Sequence, residues 1–276
     1  MGPGSRVGGR YDIIRPLARG GMSDLYVAHP VDSPEERVVL KVLRHALRRE
    51  PDLNVRFSRE AQAASALTNP YVVRILDYGL HDDERPYMAL EYLEGHDLAR
   101  ELDLRGVLPV VEAALYASQI CEAMTEAHDA GIIHRDLKTS NIFLAQQAGA
   151  RVVKVLDFGI SKIAAPNQEE ITHTRELFGS PLYMSPEQFR SAKKVDHRTD
   201  VWSTGVILYE MLTGLPPFVA ESSTAIALAI TREPLPPPTS KRPSLPKEAD
   251  DVLGRALQKD RELRTPDMRA LLDDVE

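Results

Sequence analysis

A single cysteine, Cys121, in 276 residues excludes an intramolecular disulfide and fits a reducing, cytoplasmic setting. It falls on the apolar face of a helical pattern, where it reads as a packing residue rather than a nucleophile. No apolar run approaches the ~20 residues that a membrane helix needs, so no membrane segment is expected. Positive charge is also short: 34 Lys and Arg against 41 Asp and Glu leave a net charge of −7, which gives no reason to expect nucleic acid as a partner. The local cluster Arg44, His45, Arg48 and Arg49 reads as a solvated face. There is no internal repeat. Arg6 stands where a myristoylation pattern needs Ser or Thr, and residues 1–10 read as a flexible tail or a leftover of expression. The remaining composition, 43% hydrophobic and 27% charged, is that of a soluble globular chain long enough to bury large cores.

What is present concentrates in two polar stretches set among apolar runs. The first is His134-Arg135-Asp136-Leu137-Lys138-Thr139-Ser140-Asn141, and the second is Asp157-Phe158-Gly159. Ile142-Phe143-Leu144 and Val152-Val153-Lys154-Val155-Leu156 read as two strands joined by a turn, a hairpin that would bring the stretches together. One carboxylate, beside a second carboxylate and an amide oxygen, suits phosphoryl transfer. One group accepts a hydroxyl proton, and the other two offer hard oxygen ligands to Mg²⁺. The stretches fit the patterns H-R-D-L-K-x-x-N and D-F-G, so the chain resembles the protein kinase family. The resemblance implies Asp136 as the base, Lys138 as a steadying charge on the γ-phosphate, and Asn141 and Asp157 as metal ligands. Lys138 also favours Ser or Thr as the acceptor. Thr139 replaces the commoner proline, and the sequence gives it no chemical contact.

The same resemblance extends along the chain. Leu17 to Val27 carries a reduced glycine turn: Gly20 is kept, Ala18 and Ser23 replace the outer glycines, and Leu25 replaces a valine. A turn of this kind lets backbone N–H groups approach phosphates. Val38-Val39-Leu40-Lys41-Val42 is a β-branched run broken by one lysine, and Lys41 matches the lysine that holds the α- and β-phosphates. Leu53, Phe57, Ala61 and Ala64 recur on one helical face, and Glu60 beside that face matches the glutamate that pairs with such a lysine. Strands are expected over 72–76 and 87–90, and Glu91 to Gly95 resembles the hinge that hydrogen-bonds adenine. The implied nucleotide contacts are Ala18, Gly20, Ser23, Leu25, Val39 and Lys41. Leu90 as gatekeeper, Glu91, Leu93, Asp97 at the ribose and Phe143 complete them.

Apolar residues at 110, 114, 117, 120, 121, 124 and 127 predict a helix closed by Gly131. Ser161 to Gln188 reads as a regulatory loop in which Thr172 and Thr174 are phosphorylation candidates, with Arg135 as the cationic partner of a phosphothreonine. Gly179 to Glu187 resembles the segment that floors the peptide groove, with Ser180 and Ser185 in place of Thr and Ala. Asp200 is expected to bond catalytic-loop backbone, Trp202 to be core, Arg264 to pair with Glu187, and the proline-rich 234–246 to be a rigid connection. The reading is an α+β, two-lobed protein kinase-like fold: a small antiparallel β-sheet lobe (11–90) with one main helix, a hinge (91–95) and a larger, mainly helical lobe (96–276). It implies a Ser/Thr protein kinase of the bacterial eukaryotic-like type, using ATP and Mg²⁺ (Mn²⁺ as an alternative) on protein substrates, and compatible with a homodimer for autophosphorylation. The alternatives are a pseudokinase-type scaffold and a small-molecule kinase.

Overall fold

In a β-strand successive side chains face opposite ways, and strand β4 (Val38–Leu43) uses both faces. Val38, Leu40 and Val42 enter one buried cluster with Tyr26, Tyr87 and Ala89, whereas Leu43 packs on the other side with Met88, Phe57 and Ala61. Lys41 therefore shares the second face. The other strands of this sheet are β1 (Arg6–Val7), β2 (Tyr11–Arg19), β3 (Ser23–Pro30), β5 (Ile75–Leu80) and β6 (Pro86–Glu91). All neighbours pair antiparallel, in the order β1-β2-β3-β4-β6-β5. The computed structural model describes residues 1–21, 23–44, 57, 61–147, 149–158, 180–190 and 195–276.

Two expectations are corrected here. Residues 1–10 are not simply a tail: β1 pairs with β2, Val7 is fully buried, and Gly8 and Gly9 turn the chain with φ of 56° and 69°. A side chain at Gly8 would meet the Tyr87 ring at 2.6 Å, so only glycine fits that turn. The strand expected over 72–76 forms instead at Ile75–Leu80, because the turn at 82–84 sets its register against β6, with Leu80 opposite Pro86. Val72 and Val73 are buried in the connecting segment.

The chain divides into two compact units. Among the described residues, one unit is drawn from Met1–Thr68 and Val72–Glu94, and the other from Asn69–Tyr71, Gly95–Phe158 and Asn167–Glu276. The second unit holds a three-stranded sheet of β7 (Gly95–Asp97), β8 (Ile142–Gln147) and β9 (Ala150–Val155). Its helices are α1 (Leu98–Arg105), α2 (Val110–Asp129), α3 (Pro186–Arg190), α4 (Arg198–Thr213), α5 (Ser223–Arg232), α6 (Pro238–Lys241), α7 (Glu248–Ala256) and α8 (Met268–Val275). Helix α2 packs on α4 and α8. Helix α4 is buried almost throughout and ends at Gly214 in the left-handed region, φ 86°. Trp202 is fully buried, stacked near-parallel to Phe218 at 6.3 Å with the Arg264 guanidinium 5.2 Å above its ring. Arg242, in the proline-rich connection, donates to the carbonyls of Leu108 and Leu212, which ties that segment into the unit.

Arg264 makes the bidentate pair with Glu187 at 2.7 and 3.0 Å, and its side chain has no exposed surface. Burial pushes the Glu187 carboxyl up, but the hydrogen bonds and charge of Arg264 outweigh it and hold the pKa below the usual range. The stabilisation is thus present at neutral pH and lost as pH falls through that lowered pKa. Arg264→Met should lower the unfolding free energy by about 3 kcal/mol in urea titration, because it leaves a half-buried carboxylate unpaired. A loss below ~1 kcal/mol would contradict the role given to this pair.

Candidate active site

Asp200 lies in the first turn of α4 and is fully buried. Its carboxylate accepts the backbone N–H of His134 and of Arg135, each at 2.8 Å, and faces His128 Nε2 at 2.9 Å. Hydrogen bonds to an ionised acceptor are among the stronger ones in a protein. Here they hold Arg135 in the left-handed region, φ 63°, which costs an L residue roughly 1–2 kcal/mol. His134 is fully buried, and its Nε2 donates to the carbonyl of Leu156 at 2.8 Å. That fixes the ring proton on Nε2, so Nδ1 accepts the N–H of Asp136 at 3.3 Å.

The loop so fixed presents Asp136. Its Oδ2 lies 3.0 Å from Lys138 Nζ, and Asn141 Nδ2 donates to its carbonyl at 2.9 Å and to Oδ2 at 3.4 Å. With the amide nitrogen committed, Oδ1 is the atom that Asn141 offers a cation. Ile142 on β8 pairs with Val155 on β9, and Leu156 N–H donates to the Asn141 carbonyl at 2.8 Å. The hairpin thus sets Asn141 and Asp157 at adjacent strand ends, and Asp157 turns out of the strand with φ 54°. An amide oxygen and a carboxylate fit Mg²⁺, which keeps several waters and takes further ligands from substrate phosphates. Among the described residues no group of three or more His, Cys, Asp or Glu forms a closed metal cage.

In the first unit Lys41 is buried on β4, opposite Leu25 on β3 and Met88 on β6. Ala18 pairs with Leu25, and Gly20 N–H bonds the Ser23 carbonyl at 2.9 Å to close the reduced glycine turn. A Cβ on Gly20 would lie 3.0 Å from that carbonyl oxygen. Val39 pairs with Leu90, the Glu91 N–H bonds the Arg74 carbonyl, and Leu93 follows outside any strand. In the second unit Asp97 caps α1, accepting from Arg100 N–H at 2.9 Å, and pairs across the sheet with Phe143. Glu60, Thr172 and Thr174 lie outside the described residues.

One contact corrects the sequence reading. Thr139 is not without a partner: its hydroxyl lies 2.8 Å from the Tyr183 hydroxyl, which donates to Glu210 at 2.6 Å. The only signal was a hydroxyl residue where proline is commoner. Ser185, in place of alanine, is likewise used, bonding Thr199 Oγ1 at 2.8 Å.

Residues 11–274 match the protein kinase domain family. The serine/threonine-protein kinase pkn3 of Myxococcus xanthus is 39% identical over 261 residues, covering 93% of this chain and 47% of that protein. The serine/threonine-protein kinase PknB of Mycobacterium tuberculosis is 37% identical over 263 residues, covering 94% of this chain and 41% of that protein. The chain spans less than half the length of these curated relatives. Among solved structures, the PknI kinase domain of Mycobacterium tuberculosis is similar with a TM-score of 0.76 at 28% identity, covering 100% of this chain and 98% of that one. The chain belongs to the protein kinase domain family, whose members use ATP and a divalent metal.

The Asp200 bonds predict a measurable effect on the loop. Asp200→Asn keeps the side-chain shape but removes the charge and points an amide N–H₂ at backbone donors. Amide hydrogen exchange at His134 and Arg135 should accelerate by roughly tenfold or more, as the loss of charged-acceptor bonds implies. Unchanged exchange at both amides in a folded variant would refute the anchoring.

Proposed function

We propose that this kinase domain transfers the γ-phosphoryl group of ATP to Ser or Thr hydroxyls of proteins. The observation that carries the reading is the Asp136 carboxylate, held by a loop that Asp200 anchors, with Lys138 at 3.0 Å. Asp136 accepts the proton of the attacking hydroxyl, within the ~2.6–3.2 Å that general-base transfer requires. Lys138 steadies the transferring phosphate, and Lys41, with Glu60, orients the nucleotide phosphates. Asn141 and Asp157 hold Mg²⁺, or Mn²⁺ in its place; the ion supplies charge neutralisation of the phosphates when bound. The relatives, named serine/threonine-protein kinases, support the acceptor class, as does Lys138 itself. Only the reduced glycine turn points to the scaffold alternative, and Lys41, Asp136 and Asp157, all present, weigh against it. A second copy of the chain is the proposed catalyst of γ-phosphoryl transfer from ATP to the Thr172 or Thr174 hydroxyl, with ADP leaving and Arg135 receiving the new charge.

Lys41→Met and Asp136→Asn should each reduce transfer to a generic basic protein by about 10²–10⁴-fold while the circular dichroism spectrum stays that of the parent. Phosphate on Thr172 or Thr174, mapped by mass spectrometry after incubation with Mg·ATP, should appear in the parent and in neither variant. Full transfer by a folded Asp136→Asn protein would sink the assignment.

A further inference from the structure

The chain Thr139 Oγ1, Tyr183 Oη and Glu210 Oε2, with steps of 2.8 and 2.6 Å, has no part in the reaction above. It joins three elements of the second unit: the catalytic loop, the 3₁₀ turn at Ser180–Tyr183 and α4. Tyr183 is a firm middle link, since its ring is buried and its carbonyl accepts the Ser203 hydroxyl at 2.9 Å. Burial pushes the Tyr183 phenol well up, so it keeps its single proton at neutral pH. When Glu210 is ionised that proton must point at the carboxylate, and the phenol oxygen can only accept. The Thr139 hydroxyl must then donate to it. When Glu210 carries a proton, its carboxyl can donate to Tyr183 instead, and the order of the chain is no longer enforced.

We propose that Thr139, Tyr183 and Glu210 form a positioning relay: the charge on Glu210 fixes the direction of both hydrogen bonds and so clamps Thr139, the neighbour of Lys138, to the segment that floors the peptide groove. The proposal rests on the kinase reading for its effect on catalysis, though not for its hydrogen-bond chemistry. Burial pushes the Glu210 carboxyl up to about 7, the nearby Asp103 on α1 adds to this, and the Tyr183 bond works against it. Tyr183 and Asp103 are the titratable groups set against it, and among the described residues no Lys, Arg or His pairs with Glu210. Its charge therefore changes within the neutral range. A charge-assisted hydrogen bond is about twice as strong as a neutral one, so the ionised relay is the tight one. The sign for global stability is opposite. A raised carboxyl favours the fold fully below the ordinary value of 4.5, and that contribution is lost as pH rises through about 7. Loop clamping and overall stability thus move in opposite directions with pH.

The test follows the Tyr183 ¹³Cζ and Thr139 amide signals by NMR in the nucleotide-free chain, and kcat/KM for a Ser-containing peptide, between about pH 5.5 and 8.5. Glu210→Gln, Thr139→Val and Tyr183→Phe are the variants. In the parent both signals should titrate with a midpoint near 7, and kcat/KM should rise roughly fivefold across the same step. Glu210→Gln should abolish the step. Thr139→Val should abolish it in kcat/KM while the Tyr183 signal still titrates, a separation that a merely structural role does not produce. Should Glu210→Gln fail to fold, Tyr183→Phe carries the same comparison, its Thr139 amide no longer titrating. A Thr139 amide that is flat near pH 7 in the parent, or a Thr139→Val enzyme that keeps the whole step, would overturn the relay. A catalytically silent parent whose two signals titrate together would uphold the relay and count against the kinase reading alone.

Discussion

A carboxylate with no solvent contact is costly to bury, and Asp200 is tolerable only because donors surround it: two backbone N–H groups and the His128 ring. Much of the second unit follows from satisfying that one charge. The donors at His134 and Arg135 reach it only if Arg135 takes a left-handed backbone, and this turns the chain so that Asp136 is presented on the loop. Helix α4, which carries Asp200, is itself locked by Trp202, Phe218 and the Arg264–Glu187 pair. The placement of the Asp136 carboxylate is therefore inherited from a buried helix rather than from the loop's own preferences.

The β8–β9 hairpin solves a second problem with little material. Pairing Ile142 with Val155 brings Asn141 and Asp157 to the same end of two strands, so the two oxygen-bearing side chains proposed to hold the metal are brought together through backbone bonds alone. Lys138 lies beside Asp136 at 3.0 Å, and in the proposed reaction its flexible stem would let it turn to the phosphate and leave the carboxylate free to act as the base. His134 completes the loop with a fixed tautomer whose two nitrogens bond in opposite senses.

Much of this is legible in the sequence because the chemistry demands particular residue types at short spacing. The eight residues from His134 to Asn141, the Asp157-Phe158-Gly159 stretch, the helix over 110–129 and the Arg264–Glu187 pairing all announce themselves by type, period or order. What is not legible depends on partners far apart in the chain. Thr139 meets Tyr183 across 44 positions, and no local pattern encodes that bond. Glu101 is buried although nothing around it in the sequence marks it: desolvation raises its pKa, but Arg105, His96 and Arg151 together bring it down to about 2. The strand at residues 6–7 escapes detection because two residues carry no periodicity, and only pairing with β2 defines them.

The most direct test of the account is phosphoamino-acid analysis. The purified chain is incubated with Mg·[γ-³²P]ATP and peptides that differ only in carrying Ser, Thr or Tyr as the acceptor. Label recovered as phosphoserine or phosphothreonine, with none as phosphotyrosine, is the result the account predicts. Label on tyrosine, or no label on any acceptor from a folded, nucleotide-binding chain, would contradict it.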